Sequence, residues 1–222
     1  MWRVRNLGVI VSSCLLAACP SSGDALDPDA GPDDDSGPPA GGFTIAIHSK
    51  DQIPQTDGDV RITDVRLHTT TIRALGDATT GDDQTTKSDF ELRWDDRRSP
   101  MPFTFAMAPT GRYSQIEIRI AADDGSSAGL TIEGEAKVDG DFEPFLVDLD
   151  SGVVVASVEI NEMLAPGGTT TVDLEADLVS LLQAIDFDAV PTDDGVHVID
   201  DARPEMIGIR FRLATMFDTS GD

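Results

Sequence analysis

The chain is poor in cysteine, in aromatic residues and in positive charge, and each shortage excludes a class of chemistry. Both cysteines, Cys14 and Cys19, fall within the first nineteen residues. The chain beyond Cys19 holds neither a disulfide nor a thiol nucleophile, so any folded part is stabilised by a hydrophobic core. Sixteen lysines and arginines face 41 aspartates and glutamates, for a net charge of −25. Such a surface repels phosphate backbones and anionic lipid, which excludes nucleic acid as a partner. Aromatic residues make up 5% of the chain. Beyond Trp2 the one tryptophan is Trp94 and the one tyrosine is Tyr113, both inside alternating apolar patterns, so stacking platforms for sugars are scarce. His48, His68 and His197 stand singly, without the clustering that zinc requires. His48 and His68 occupy the polar side of their strands and meet only if those strands are neighbours. The serine-nucleophile pattern Gly-x-Ser-x-Gly is also missing. The first apolar run spans roughly ten to twelve residues, short of the ~20 that cross a bilayer as a helix.

That run has the three parts of a secretory signal. Arg3 and Arg5 precede it, residues 7–16 are apolar, and Ala17-Ala18 supply small residues before Cys19. Residues 1–18 read as a cleaved signal peptide. Its removal takes away two arginines and leaves fourteen basic residues against 41 acidic ones, a net charge near −27.

Residues 19–42 then read PSSGDALDPDAGPDDDSGPPAGG after the cysteine. A Pro, Gly, Asp and Ser composition offers too little apolar surface to offset the entropy of ordering. This is the reading of a flexible acidic tether, with a mean span of about 25–30 Å. Neither Asp27-Pro-Asp29 nor Asp33-Asp34-Asp35-Ser-Gly37 supplies both the alternate oxygen ligands and the following glutamate of a calcium loop. Calcium remains the one cofactor worth weighing, since hard cations take carboxylate oxygens. Its candidate ligands are Asp77, Asp82, Asp83, Asp123 and Asp124 at expected turns, where aspartate also simply favours the turn.

From residue 43 to 222 the dominant pattern is period-two alternation, the mark of half-buried strands. Phe43, Ile45 and Ile47 share one face, and a phase slip at Thr63-Asp64 predicts a bulge. Phe90, Leu92 and Trp94 alternate, as do Phe103, Phe105 and Met107. Ile116, Ile118 and Ile120 are expected to form a hairpin with Leu130, Ile132 and Ala136. Asp139-Gly140 is a strong two-residue turn signal before Phe145, Val147 and Leu149. Residues 153–160 are apolar at most positions and read as the middle of a sheet. Asp177 caps an expected helix carrying Leu178, Leu181, Leu182 and Ile185. Ile207, Ile209, Phe211 and Leu213 read as the last strand. The sum is an all-β, antiparallel β-sandwich with one short helix; no βαβ rhythm appears.

Two resemblances accompany this reading. Leu16-Ala17-Ala18-Cys19 resembles the lipobox of bacterial lipoproteins, which implies cleavage before Cys19 and a diacylglycerol, carrying palmitate or related acyl chains, on that cysteine. Pro20 rather than aspartate comes next, which favours the outer over the inner membrane of the cell envelope. Pro109-Thr-Gly111-Arg-Tyr113-Ser114 resembles the turn-then-tyrosine segment of fibronectin- and immunoglobulin-like sandwiches, and the sandwich expected is immunoglobulin- or transthyretin-like. The same segment is similar to bacterial lipoprotein domains of unassigned function. Both imply structural roles for Pro109, Gly111 and Tyr113 and no catalytic residue. The expectation is a lipid-anchored envelope module that binds a protein partner or serves structurally. A calcium-dependent adhesion module and a carboxylate-based envelope hydrolase are the alternatives.

Overall fold

The computed structural model describes residues 41–55, 58–77, 85–95, 102–122, 128–183 and 185–220. They hold twelve strands: β1 (Gly41–Ser49), β2 (Val60–Gly76), β3 (Thr86–Trp94), β4 (Phe103–Ala108), β5 (Gly111–Ala121), β6 (Leu130–Val138), β7 (Asp141–Leu149), β8 (Val153–Leu164), β9 (Thr169–Ala176), β10 (Thr192–Asp193), β11 (Val196–Ile199) and β12 (Phe217–Thr219). One helix, α1 (Glu205–Leu213), precedes β12. The fold is an all-β sandwich of two sheets. The smaller has the order β12-β9-β1-β4 and the larger β10-β11-β7-β6-β2-β5-β8, with β3 on the free side of β2. Most pairs are antiparallel, but β1 runs parallel to β9 and β7 parallel to β11.

Alternation decides which face each strand turns inward. Phe43, Ile45 and Ile47 are 0–1% exposed while His48 is on the surface. Burying each such side chain contributes roughly 1.5–3 kcal/mol. These residues join those of the larger sheet in one continuous core. The slip at Thr63-Asp64 is a bulge, where the register of β2 against β6 shifts between Ile62 and Asp64. Asp139-Gly140 turns β6 into β7 with both residues at positive φ, 51° and 102°, the conformation a two-residue hairpin needs. In β4 the alternation fails at its end. A register shift against β1 turns Met107 outward, 61% exposed, and puts Ala108 in the core.

The expected β5–β6 hairpin does not form. β2 is long enough to carry both strands on one edge, β6 along residues 60–67 and β5 along 69–76. The two therefore lie end to end, and β7 and β8 do the same on their far side, against β6 and β5 respectively. The interruption falls at His68. Its backbone N–H donates to Gly129 O at 3.1 Å, and its Nδ1 donates to Ala121 O at 2.8 Å.

Three further expectations are corrected. Residues 153–160 lie in β8, an end strand of its sheet rather than a central one, with Val153 and Val155 47% and 42% exposed. Valine on the outer face mimics the pattern of a strand buried on both sides. Residues 178–183 form successive turns rather than a helix. Asp177 does cap the first, accepting the Ser180 N–H at 3.0 Å, but the next bonds run i to i+3, from Leu182 N to Val179 O and from Ile185 N to Leu182 O. Leu178, Leu181 and Leu182 still reach the core, and so short a segment gains little from helix propagation. The helix forms instead at 205–213, where alternation predicts a strand. Met206, Ile209 and Leu213 are buried at i, i+3 and i+7, whereas Ile207 and Phe211 are each 74% exposed. Pro204 starts the helix, and Glu205 in its first turn and Arg210 and Arg212 in its last are matched to the helix dipole.

Candidate functional site

A groove of about 590 Å³ opens where the edges of the two sheets diverge. One wall is residues 159–162 of β8, and the other is residues 171–173 of β9 with Thr219 and Ser220. β8 and β9 are joined through the Pro166-Gly167 turn but belong to different sheets, so they splay apart from that turn. The β8 wall contains a bulge. Tyr113 pairs Glu162 and Gln115 pairs Glu159, so Ile160 and Asn161 together oppose Ser114.

Both walls expose strand edges. Among the described residues β8 pairs along its length with β5 alone. β12 is three residues long and covers only residues 174–176 of β9; past it, Ser220 N donates to Asp173 O at 3.0 Å. Residues 169–172 of β9 are paired with β1 on one side and, among the described residues, have no strand on the other. The groove is therefore a gap between two strand edges left open. Its charged lining residues are Glu159, Glu162 and Asp173. At the rim, His48 Nε2 lies 3.4 Å from Asp173 Oδ1, with both side chains more than half exposed.

The residues singled out from the sequence lie elsewhere. Tyr113 is fully buried in β5, its hydroxyl donates to Pro109 O at 2.6 Å, and its ring meets Phe43 at 4.5 Å. Gly111, at φ 146°, adopts a backbone that glycine tolerates and other residues rarely do, which lets the chain turn between Pro109 and Tyr113. Asp77 lies just past the end of β2, with its N–H on Arg112 O at 2.9 Å. Cys19, Asp82, Asp83, Asp123 and Asp124 lie outside the described residues. Among the described residues no group of three or more His, Cys, Asp or Glu is placed to hold a metal ion. Trp94 is buried at 3% exposure.

The histidines do not meet. His48 is on β1 in the smaller sheet and His68 is on β2 in the larger. His197 on β11 is buried, and its Nδ1 donates to Val190 O at 2.7 Å while its Nε2 lies 2.9 Å from Glu143 Oε2. In the sequence His197 stands alone because its partner is 54 residues away.

Charge on the outer face of the larger sheet is largely paired. Asp64, at the bulge, accepts from Arg66 Nε at 2.5 Å and from Arg93 Nε at 2.9 Å, and Arg66 also reaches Glu133. The hydrogen bond from Arg66 to Asp64 holds the guanidinium above its ordinary value against the opposing effect of burial. On β7, burial and then repulsion from Asp150, Asp201 and Asp200 push the Asp148 carboxyl up. Burial pushes Asp201 up as well, but hydrogen bonds from Ser151 and Arg210 outweigh it and hold that carboxyl below its ordinary value.

The groove offers a row of main-chain donors and acceptors with carboxylates beside them, which suits recognition. No helix among the described residues is long and apolar enough to cross a membrane. Comparison of the chain with family models, with curated proteins and with solved structures found no match in any of the three.

Proposed function

We propose that this chain is a lipid-anchored module of the bacterial cell envelope that works by binding. The observation that carries the binding part is the groove between β8 and β9, where open strand edges and three carboxylates line a recess on a single-core scaffold. Rigid sheets hold such a surface in place at little entropic cost. Leu16-Ala17-Ala18-Cys19 supports the anchoring part, and the Pro, Gly and Asp stretch after it would hold the domain away from the lipid headgroups. Palmitate and the accompanying diacylglycerol chains on Cys19 would meet the need for more than one acyl chain in stable anchoring. The proline at position 20 favours the outer membrane.

Metabolic labelling with radioactive palmitate tests the anchor. The protein should take up label and stay with the envelope membranes. Cys19→Ala should abolish the label and retain the uncleaved signal. Unlabelled protein released intact into the soluble fraction would sink the anchoring part of this reading.

A further inference from the structure

We propose that the groove accepts an extended peptide segment bearing lysine or arginine, taken up as an added strand. This deepens the binding reading above and rests on it.

Three observations point the same way. First, main-chain pairing stops short on both walls: among the described residues it ends on β9 at Asp173, where Ser220 N–H donates, and β8 has a partner on one side only. An incoming strand in line with β12 would continue the ladder along residues 169–172. Main-chain hydrogen bonds of this kind give strand-addition complexes their affinity. Second, Ile160-Asn161 bulges where the walls face each other, and bulges re-aim side chains at binding sites. Third, Glu159, Glu162 and Asp173 stand in the groove with no lysine or arginine among its lining residues.

Charge decides between occupants. A second copy of this chain, docked edge to edge through β8, would set Glu159 and Glu162 against the same carboxylates of its partner, and like charges directly opposed are destabilising. The acidic segment before Gly41 is repelled for the same reason. A strand with cationic side chains at alternate positions meets the carboxylates while its backbone meets the open edges. Successive side chains point to opposite faces, so alternate residues of the guest face the carboxylate side.

The test uses the full-length protein in detergent and an octapeptide of alternating lysine and valine, capped at both ends. Fluorescence anisotropy should show saturable binding, with amide exchange slowed at residues 159–162 and 169–173. The triple variant Glu159→Gln, Glu162→Gln, Asp173→Asn should lose at least tenfold in affinity without a change in melting temperature. The same peptide N-methylated at every residue should lose at least tenfold as well, because its charge is kept while no main-chain N–H remains to pair with either edge. Equal binding of the N-methylated peptide would overturn strand addition and leave only diffuse attraction to an acidic protein. Protection at other segments, or no binding, overturns the proposal outright. Sedimentation of the protein alone that shows a dimer strengthened by the triple variant would assign the edge to a second copy instead. An unlabelled Cys19 together with peptide binding would remove the anchor and leave this inference standing, whereas the reverse pair of results would do the opposite.

Discussion

Glu143 on β7 and His197 on β11 meet at 2.9 Å although 54 residues separate them in the chain. Their strands run parallel, and Phe145 is the register partner of His197, so Glu143 stands two residues back on the same face. The other ring nitrogen donates to Val190 O, just after the turn at residues 187–189. The imidazole thus links β11 to Glu143 on β7 through one nitrogen and to the segment leading into β10 through the other.

Replacing His197 with alanine leaves Val190 O without its donor and Glu143 without its ring partner, and opens a cavity. The expected cost is about 1–3 kcal/mol in urea unfolding, with faster amide exchange over residues 192–199. Glu143→Gln keeps an amide within reach of Nε2 and should cost much less. Equal losses for the two variants would mean that the charge on Glu143, not the tie through the ring, stabilises the hairpin.

The helix at 205–213 separates two isoleucines that a strand would place on one face. Ile209→Ala should destabilise by about 2–5 kcal/mol, as a large-to-small change in a core does. Ile207→Ala should stay within about 0.5 kcal/mol, because Ile207 is 74% exposed. Similar effects at both positions would support the strand that alternation predicts.

Gly134 and Gly208 should respond in opposite directions to alanine. A Cβ on Gly134 would stand 2.2 Å from Arg61 O and 2.8 Å from the Phe145 ring, so Gly134→Ala should prevent the β2–β6 pairing or cost several degrees of melting temperature. A Cβ on Gly208 meets nothing within 4 Å and sits in a helix interior. Gly208→Ala should therefore stabilise by roughly 0.5–1 kcal/mol. Thermal unfolding of both variants decides the matter.

Two aspartates should give opposite pH dependence. Asp148 has its folded value raised, so its charged form opposes folding. Its favourable contribution is complete below the unfolded value and is lost as pH rises through the folded one. Asp148→Asn should stabilise the protein at neutral pH, and the gain should shrink to nothing as pH falls below the usual carboxylate range. Asp201 has its folded value lowered, so its contribution is present at neutral pH and is lost as pH falls through the folded value. Asp201→Asn should destabilise at neutral pH and not in strong acid. Urea midpoints across the acid range, measured for each variant, would show the two curves diverge.

The parts of the fold legible in the sequence are those written locally. Phe43, Ile45 and Ile47 alternate because one face of β1 is buried, and Asp139-Gly140 is a turn because two positive φ angles are needed there. The 205–213 helix is also written locally, in Pro204, Glu205 and the spacing of Met206, Ile209 and Leu213. Ile207 and Phe211, apolar yet exposed, complete a competing period-two pattern. The end-to-end placement of β5 and β6 depends on the length of β2 and on pairings that span the chain, and no local pattern encodes it. The groove is illegible for the same reason. Its walls come from strands in different sheets, and it exists because β12 stops after three residues.

The parallel pairing of β1 with β9 has a mechanical consequence. β1 is held between β9 and β4, and the chain enters it at Gly41. A pull on Gly41 directed along β1 is opposed by both neighbours. It loads the hydrogen bonds to both neighbours in shear, so they share the force and must yield together. A β1 that peeled from an exposed end would surrender them one at a time.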